Sequence, residues 1–503
     1  MPRPTRPSLW ALHGTPGGRP FPHPEEDQVK PSFAVLSERE VWEIHCASLD
    51  VLENVGIAVH QERAREILLG AGAVRGEGTR VRLPARLVKG ALDRCAPVVL
   101  LYGREGRPPM RVGGNRVYFG TCGYPSNVVD WRTGEIRPPR LSDLEETARL
   151  TDVLDNIDFI MPPLSPDDVP VELVDRYQWM AALLNTRKHV LNQCYGEEGF
   201  RDLVAIASEI AGGLEALQRE PFISLLISTT SPLTLRVDAS EVIIGGAELG
   251  LPLFIFAGPM AGATAPCSLA ASLTLANAEV LAGIVLAKVV NESVPVIYAS
   301  WARTLDMKYG NVTLGAPEFA MLRTAATQMA RFYGLPCGGG GLLTDAKVPD
   351  AQAGYEKLGT ALLPALAGMN MICGAAAYGA EVVLSLEGYA IDDEVAGWVK
   401  RVLAGFAVDE ERLALSLIAA QGPGGQFIKE EHTLRFFRQE MWVPLLSDRE
   451  GTTGWLARGA QDIRARARRQ IEKKLQQYRP LELPAGTRER VQAIIDRRLV
   501  RQQ

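Results

Sequence analysis

Eight short apolar segments run through the middle of this chain, and each is followed by a polar or glycine-rich turn and a helical stretch. Eight strand–helix units are the number that closes a (β/α)8 barrel, a fold that takes about 250 residues. The pattern therefore predicts an α/β protein built on a TIM-type barrel, with its chemistry at the C-terminal ends of the strands. The predicted strands are Val117–Thr121, Ile157–Met161, His189–Cys194, Phe222–Ser228, Leu253–Ala257, Val294–Ala299, Leu335–Cys337 and Met371–Ala375.

The same alternation divides the chain into four parts. Residues 1–34 are rich in proline, arginine and glycine, and predict a loose N-terminal arm without the continuous apolar stretch of a secretory signal. Residues 35–115 mix helical and strand patterns and predict an α/β cap over the barrel. The barrel is assigned to residues 116–380. Residues 381–503, where the alternation stops, predict a C-terminal helical extension.

The composition restricts the cellular compartment and the binding partners that we expect for this chain. The net charge of −5 lacks the basic footprint of a nucleic-acid-binding protein. Seven cysteines, spread singly and without a C-x-x-C pair, predict reduced thiols in the cytoplasm rather than a disulfide framework. The most apolar stretch, Ser268–Val290, contains Asn277, Glu279 and Lys288, so we expect a helix packed on the barrel rather than a membrane span.

The predicted turns at the strand ends are short of acids and bases. No histidine lies at any of them, and no pair of carboxylates faces across the predicted mouth. The turns offer instead glycine, small hydroxyls, a thioether and aromatic rings. This set of groups suits a roomy, fairly apolar cleft that positions its substrate rather than exchanging protons with it.

Each candidate residue at these turns also has a purely structural interpretation. Thr229 and Thr230 can cap the next helix, Met260 can fill a gap in the core, and Cys337 can be an inert buried thiol. The aromatic residues at the sixth strand fit ordinary barrel packing and a cation–π wall equally well.

A run of four glycines, Gly338–Gly341, follows the seventh predicted strand. Consecutive glycines cost backbone entropy, and the lysine and hydroxyl of a phosphate-binding loop are absent at the required spacing. We therefore interpret the run as a surface that something bulky must reach. Lys347 lies just beyond it and Lys188 precedes the third strand; either could form a Schiff base if desolvated, although their context is typical of surface lysines.

Several motifs in consistent order resemble the trimethylamine methyltransferase superfamily, from about residue 35 to residue 478. The segment 130–162 is similar to this family too, with its D-x-x-TGE and LSDLEETARLTDVLDNIDFIMP sequences. The other matching motifs are Gly258–Pro266 (GPMAGATAP), Tyr333–Lys347 (YGLPCGGGGLLTDAK), Gln352–Tyr355 (QAGY), Gly422–Phe427 (GPGGQF) and His432-Thr433-Leu434 with Phe436 and Phe437.

The resemblance implies a (β/α)8 barrel that demethylates a methylated amine, as in methanogenesis and other one-carbon metabolism. The methyl group would pass to the Co(I) corrinoid (cobalamin) of a separate carrier protein. Founding members of the family carry pyrrolysine, whereas this chain has only standard residues. It therefore resembles the branch that acts on quaternary amines such as glycine betaine, proline betaine or carnitine. Gln426 also stands where many relatives have histidine.

The resemblance leads to a set of expected site residues. We expect Arg303, Arg236 or the backbone N–H groups of residues 261–264 to hold a substrate carboxylate. Gly338, Gly339, Gly340 and Gly341 are expected to border the approach of the carrier. No catalytic acid or base, bound metal or nucleotide of its own is expected. The expected pocket lining is Thr229, Thr230, Met260, Tyr298, Trp301, Arg303 and Cys337.

The expected partners are a small quaternary amine, the cognate corrinoid-binding protein and a second copy of the chain in a homo-oligomer. Neither nucleic acid nor membrane is expected. Two alternatives stay open. One is a Schiff-base lyase or aldolase that uses Lys188 or Lys347. The other is a non-catalytic betaine-binding protein that has kept the barrel.

Overall fold

A computed structural model describes residues 32–501 of the chain, so most of the predicted N-terminal arm, residues 1–34, lies outside the described residues. The described residues form two compact units. The larger comprises residues 32–403 and 442–501, and the smaller comprises Ala404–Met441.

The larger unit is built on a closed barrel of eight parallel strands. The last strand pairs with the first, with Met371 opposite Tyr118, and this pairing closes the cylinder. A strand lies at each of the eight predicted places, although the seventh overlaps its predicted range only at Cys337. The predicted TIM-type barrel is confirmed. The strands are β1 Tyr118–Thr121, β2 Ile157–Ile160, β3 His189–Asn192, β4 Ile223–Ser228, β5 Leu253–Ala257, β6 Val296–Ser300, β7 Cys337–Gly340 and β8 Met371–Ala375.

A helix follows each strand and packs on the outside of the barrel. The eighth helix begins beyond residue 380, so the predicted C-terminal boundary of the barrel is wrong. This helix packs beside the preceding barrel helix. Its Asp392 Oδ2 lies 2.8 Å from Lys357 Nζ on the helix Ala351–Ala367. The helices are α1 Leu141–Val153, α2 Val174–Asn185, α3 Gly196–Ala211, α4 Val237–Leu249, α5 Leu269–Val290, α6 Pro317–Phe332, α7 Ala351–Ala367 and α8 Leu386–Ala404.

Helix α5 is long and apolar enough to cross a membrane by length and composition alone. In the structure it is the fifth barrel helix, and 72% of its most apolar window is buried. Its polar residues have partners inside the protein: Lys288 Nζ donates to the carbonyl oxygens of Arg94, Glu292 and Val294. Burial within the fold therefore accounts for its apolar character, as predicted.

Side chains alternate between the inside and the outside of the barrel along each strand. The inward layer is apolar, and the hairpin Val99–Leu101/Met110–Val112 packs against its lower part. The backbone next to this hairpin reaches the N-terminal end of β3, where His189 Nδ1 lies 2.9 Å from Tyr102 O. The predicted cap thus closes the N-terminal end of the barrel rather than its functional end, because its hairpin leads directly into β1.

The rest of residues 35–115 lies along the barrel wall. The strand Ile57–Val59 pairs with Arg80–Arg82 and with Thr234–Leu235, which follows β4. The elements of this part are helices Glu38–Asp50, Glu62–Gly70 and Ala85–Leu92, the π-helical turn Val51–Val55, and strands Ile57–Val59, Val74–Arg75 and Arg80–Arg82.

Two small sheets extend the C-terminal ends of the barrel strands. One consists of Met260–Ala261, Arg303–Asp306 and Asn311–Thr313, beyond β5 and β6. The other consists of Ala377–Tyr378, Val383–Ser385, Asn127–Val129 and Ile136–Arg137, beyond β8 and β1. These sheets hold the loops at the mouth on paired backbone rather than leaving them irregular.

Residues 442–501 return to the larger unit as helices Thr452–Ala457, Ile463–Gln477 and Thr487–Arg501. The basic helix Ile463–Gln477 lies on the outside of the barrel. Its Arg464 pairs with Glu387 of α8 at 3.2 Å, and its Lys474 pairs with Asp155 at 2.7 Å. The smaller unit contains helices Glu410–Leu413, Leu415–Gln421 and Glu431–Glu440. A 3.1 Å ion pair between Arg412 and Glu440 joins the first of these helices to the third.

Candidate active site

An aromatic corner stands at the mouth of the barrel. Trp301 directly follows β6 and continues the inward face of Ile297 and Ala299, because strand residues two apart share a face. Its ring centroid lies 5.0 Å from that of Phe256 at the end of β5, with the planes tilted by 60°. Trp301 is only 5% exposed, whereas Phe256 is half-buried. The two rings therefore present an edge-and-face corner to the interior.

Strand β7 is made of the glycine run itself, so the prediction that this run is a turn after the strand is wrong. Cys337–Gly340 pairs with β6 and β8, and all four glycines, Gly338–Gly341, are buried. A Cβ on Gly338 would lie 2.5 Å from the Phe254 ring, and one on Gly340 would lie 2.7 Å from Trp301 Nε1. Because Gly338 and Gly340 have no side chains, the rings of Phe254 and Trp301 can occupy the space beside the inward face of β7. Being buried, the run does not form the open surface predicted from the sequence.

Met260 and Arg303 lie next to this corner, beyond the C-terminal ends of β5 and β6. They are opposite each other in the small sheet beyond β5 and β6, and both are half-buried. Arg303 Nη1 would lie 3.9 Å from a Cβ on Gly258, next to the main chain of Trp301. Burial lowers the pKa of Arg303, while the charge of Glu381 raises it. Within residues 32–501 the guanidinium makes no hydrogen bond or ion pair, and its Nε is fully enclosed.

Glu381 is a further charged group at this mouth, and the sequence analysis missed it. It lies in the tight turn between Ala377–Tyr378 and Val383–Ser385, where Gly379, Ala380 and Glu381 have φ values of 59°, 57° and 65°. Such values are uncommon for residues with a side chain. The turn is held in place because the N–H groups of Gly379 and Ala380 donate to Ala346 O at 2.7 Å and Thr344 O at 3.0 Å.

The side chain of Glu381 is half-buried. Burial raises its pKa to about 7, although the positive charges of Arg303 and Lys357 act in the opposite direction. Its charge also contributes, after burial, to the raised pKa of the Cys122 and Cys373 thiols. Cys373 faces the interior on β8, whereas Cys122 packs with the outer layer. In the described part of the chain the carboxyl group of Glu381 forms no ion pair or hydrogen bond.

Three of the predicted pocket residues are thus close to one another, namely Met260, Trp301 and Arg303. We call these residues, together with Phe256 and Glu381, the mouth cluster. Phe256 was detectable from the sequence, because it shares the inward face of its strand with Phe254. Glu381 also left a signal, because it is the only charged residue between the start of β8 and the start of α8.

Two other predicted pocket residues face away from the lumen, so their assignment is wrong. Tyr298 and Cys337 belong to the outward faces of β6 and β7 and pack against the helical layer. Tyr298 Oη donates to Asn277 Oδ1 on α5 at 3.0 Å. Burial raises the pKa of the Cys337 thiol to about 11, so this cysteine stays protonated. Side chains alternate between the two faces along a strand. Trp301 and Tyr298 are three positions apart, so they face opposite ways.

The threonines after β4 are likewise structural. Thr229 Oγ1 donates to Glu279 Oε2 on α5 at 2.8 Å, and Leu233 N donates to Glu279 Oε1 at 2.9 Å. Thr230 is exposed and pairs through its backbone with Thr234. Because Glu279 holds this loop against the outer helix, neither threonine lines the lumen.

None of the residues predicted for alternative roles belongs to the mouth cluster. These residues are Lys188 and Lys347 as Schiff-base lysines and Arg236 as a carboxylate ligand. Lys188 is buried rather than at the surface, and its Nζ donates to Thr151 O at 2.5 Å and Leu154 O at 2.6 Å. It precedes β3, at the end of the barrel opposite the mouth. Lys347 is exposed, with its Nζ 2.6 Å from Asp345 O. The exposed Arg236 pairs with Asp238 at 3.3 Å.

Comparison with known proteins places this chain among methyltransferases. The family model for trimethylamine methyltransferase (MTTB) matches residues 19–502. A trimethylamine methyltransferase MttB of Desulfitobacterium hafniense is 33% identical over 465 residues, which cover 92% of this chain and 94% of that protein. A glycine betaine methyltransferase of the same species is 33% identical over 475 residues, which cover 94% of this chain and 98% of that protein.

A solved structure shares the fold. The monomethylamine methyltransferase of Methanosarcina barkeri superposes with a TM-score of 0.51 over 90% of each chain, at 13% sequence identity. At this identity the likeness concerns the fold alone.

Proposed function

The chain belongs to the trimethylamine methyltransferase family and is an enzyme, and from this premise we propose that it transfers a methyl group from a quaternary amine to the corrinoid of a separate carrier protein. The observation that carries the proposal is the mouth cluster. It combines the contacting rings of Trp301 and Phe256 with Met260, which is paired with Arg303, at the C-terminal end of a barrel whose lower part is filled with apolar side chains.

The corner is suited to a quaternary ammonium ion. Such a cation has no N–H to donate, so it is held by ring faces and polarizable sulfur rather than by hydrogen bonds. Trp301 and Phe256 provide two rings at an angle, and Met260 provides the sulfur. The corrinoid supplies the nucleophile that accepts the methyl group. The amine departs uncharged, so no general acid is needed, and none of the mouth-cluster residues is a histidine.

The finer part of the proposal is a betaine-type substrate. A relative that this chain matches nearly end to end is named a glycine betaine methyltransferase. This chain contains only standard amino acids. Arg303 is the mouth-cluster group that could bind a substrate carboxylate, since its guanidinium has no partner in the described residues.

The carrier must approach from the C-terminal face of the barrel, where the mouth cluster lies. We now assign the glycine run an indirect part in this step: Gly340 leaves room for Trp301, which in turn holds the amine. A homo-oligomer and a cytoplasmic location, with the carrier in the same compartment, belong to the same proposal.

The test uses the full chain with a reduced corrinoid-binding carrier protein. Glycine betaine, proline betaine, carnitine and trimethylamine are added in turn, and the absorbance of methylated cobalt is recorded. We expect methylation with at least one quaternary amine. Methyl iodide serves as the control, because it methylates the reduced carrier without any enzyme. A carrier that responds to methyl iodide but to none of the amines contradicts the proposal.

Variants of Trp301 connect the activity to the corner. A cation–π contact in a desolvated site contributes up to about 2 kcal/mol, or about thirtyfold in affinity. We expect substrate affinity to fall from Trp301 to Trp301→Phe and further to Trp301→Leu. Trp42→Leu is the matched control, since Trp42 is 55% exposed on the outer helix Glu38–Asp50. Equal affinity in all four proteins contradicts the assignment.

The alternatives have less support. A Schiff-base enzyme needs a lysine in the lumen, whereas Lys188 lies at the other end of the barrel and Lys347 is exposed. A non-catalytic binding protein is disfavoured because the relatives along the whole chain are named as methyltransferases.

A further inference from the structure

The smaller unit, Ala404–Met441, exposes an unusual amount of apolar surface. Thirty large apolar side chains are exposed within residues 32–501, and nine of them lie in this stretch of fewer than 40 residues. Seven of the nine are more than half exposed, so the unit is several times richer in such side chains than the rest of the described chain. The nine are Phe406, Val408, Leu413, Leu415, Ile418, Phe427, Ile428, Leu434 and Met441.

The unit has almost no interior of its own. Helices Glu410–Leu413 and Leu415–Gln421 bury none of their residues, and helix Glu431–Glu440 buries only Phe436. A segment of this size rarely supplies enough core without a disulfide, a metal or a partner. It contains no cysteine, and no group of metal-ligating side chains is present among residues 32–501. Its stability must therefore come from a surface that covers the apolar side chains.

Two motifs noted in the sequence, Gly422–Phe427 and His432-Thr433-Leu434, fall in this unit and have no part in the mouth cluster. Thr433 Oγ1 donates to Phe427 O at 2.6 Å, so the two motifs hold each other. Both also carry exposed apolar side chains, and Leu434 is 74% exposed. Their polar groups thus fix the backbone while their apolar side chains remain open.

Helix Glu431–Glu440 carries the clearest apolar face. Leu434, Phe437 and Met441 recur at helical spacing and form one stripe, whereas the buried Phe436 lies on another side of the helix. Leu434 and Met441 are exposed, and Phe437 is half-buried. An apolar stripe of this kind normally packs against another element.

The exposed area is sufficient for a stable interface. A large apolar side chain presents on the order of 100–150 Å² when fully exposed, so the nine partly exposed side chains present roughly 600–850 Å². The largest apolar patch on a typical monomer covers about 300–600 Å². A standard interface buries about 800 Å² on each partner, of which a little over half is apolar.

A permanent partner fits this surface better than a transient one. The carrier of the proposed function must leave after each methyl transfer, and short-lived interfaces are small and no more apolar than the rest of a protein surface. Interfaces between the copies of an obligate homo-oligomer are larger and more apolar. Two-fold assemblies are the commonest of these, so a second copy of this chain is the partner that the surface favours.

The charges on the same helix are arranged for self-association. Glu431 in the first turn and Arg438 in the last turn are both exposed. They are seven positions apart, so they flank the Leu434 stripe on one side. When two copies of this helix pack antiparallel, Glu431 of each copy meets Arg438 of the other, as a two-fold interface requires.

We propose that two copies of this chain associate around a two-fold axis through the smaller unit, with helix Glu431–Glu440 of each copy packed antiparallel on the other. The inference rests on the homo-oligomer of the proposed function and assigns the surface that forms it. Each copy covers the apolar side chains that the other leaves open, so the unit reaches its full stability only in the assembly.

Sedimentation velocity measures the association of the full-length protein and its variants. L434D and I428D place a charge within the apolar surface. V171D is the matched control, because Val171 is 75% exposed in the turn Val171–Leu173 of the larger unit.

We expect the parent and V171D to form dimers or larger even-numbered assemblies. L434D and I428D should associate at least about a hundredfold more weakly, because each interface then buries two unpaired charges. A monomeric parent overturns the proposal, and so do L434D and I428D proteins that associate as tightly as V171D.

A charge exchange tests the antiparallel arrangement and does not depend on the folding of one variant. E431R and R438E should each weaken association by about tenfold, because like charges then face each other across the axis. The double variant E431R/R438E should restore the association. Equal association in all three variants and the parent, or a double variant that restores nothing, overturns the proposal.

Amide hydrogen exchange of the parent, without carrier, identifies the covered segment directly. Helices Leu415–Gln421 and Glu431–Glu440 should exchange slowly in the assembly and faster after dilution to concentrations at which the protein sediments as a monomer. Slow exchange that does not depend on association means that the same chain covers the unit. Slow exchange that begins only when the carrier is added means that the carrier covers it. Either result overturns the proposal.

Failure of this inference is distinguishable from failure of the proposed function. A protein that methylates the carrier but does not associate through the smaller unit removes only the inference. An assembly that L434D dissociates, but that transfers no methyl group to a responsive carrier, removes only the methyl-transfer function.

Discussion

Replacing the inward-facing glycines of β7 by alanine tests whether this strand lacks side chains because aromatic rings occupy the space beside it. In Gly338→Ala the new methyl group would lie 2.5 Å from the Phe254 ring. In Gly340→Ala it would lie 2.7 Å from Trp301 Nε1 and 3.0 Å from Phe319 Cζ. Contacts of this kind normally begin at 3.4 Å, so the rings must move by about 0.7–0.9 Å in a close-packed interior.

The expected cost follows from these overlaps. Overpacking a core costs about 1–3 kcal/mol, and the lower unfolded-state entropy of alanine returns about 0.4–1 kcal/mol. We therefore expect each variant to lose about 1–2 kcal/mol of unfolding free energy. Only Gly340→Ala should also weaken glycine betaine binding, by about tenfold, because it displaces Trp301 whereas Gly338→Ala displaces Phe254 deeper in the barrel.

Chemical denaturation and calorimetry measure the two effects. Gly90→Ala is the control, because a Cβ on Gly90 has open space in the helix Ala85–Leu92; it should be neutral or stabilising by up to about 1 kcal/mol. The reasoning is refuted if both β7 variants are as stable as the parent and lose only methyl transfer to the carrier. That outcome would restore the interpretation of the glycines as a surface for the carrier.

Three further predictions concern single side chains. Tyr298→Phe removes the hydrogen bond to Asn277 and should cost about 1 kcal/mol of stability, with unchanged substrate affinity in calorimetry. Glu381 has a folded pKa of about 7 against an ordinary 4.5, so its ionisation opposes folding. This contribution to stability should be complete below pH 4.5 and lost as the pH rises through 7, and E381Q should flatten the dependence of the unfolding free energy on pH. Lys357→Met leaves the buried Asp392 without its 2.8 Å partner, and should cost about 3–5 kcal/mol in denaturation experiments.

The barrel was predictable because its signal is local and repeated. Each strand is a short apolar run between turn signals, and eight such runs allow one closed arrangement. The boundary of β7 was not predictable by the same signal, because glycine is depleted in strands and favoured in turns. Only the neighbouring rings of Phe254 and Trp301 show why side chains are absent there.

The pocket was predictable only in part, because proximity to a strand end does not determine which way a side chain points. Tyr298 lies within β6 and Trp301 directly follows it, yet Trp301 faces the lumen and Tyr298 faces Asn277 on α5. A strict count of alternation from Ile297 would have separated them. The position along the chain was enough to predict which strand end contributes to the site. The alternation of side chains along the strand was needed to predict which of them face the lumen.

Glu381 shows a different limit. Its place at the mouth depends on a turn with positive φ at Ala380 and Glu381, and neither residue type marks such a conformation in the sequence. The turn is determined by contacts with Thr344 and Ala346 beyond β7, which are tertiary. The eighth helix was assigned to the extension for a related reason, since this same turn interrupts the strand–helix rhythm before Leu386.

The central claim is that the mouth cluster holds a quaternary ammonium ion with one methyl group directed outward. A crystal structure of the protein with glycine betaine tests it most directly. The account predicts the nitrogen within about 6 Å of the Trp301 ring centroid, with the carboxylate on Arg303 and one methyl group open to the C-terminal face. A nitrogen bound elsewhere, or a bound substrate whose methyl groups are all enclosed by the protein, contradicts it.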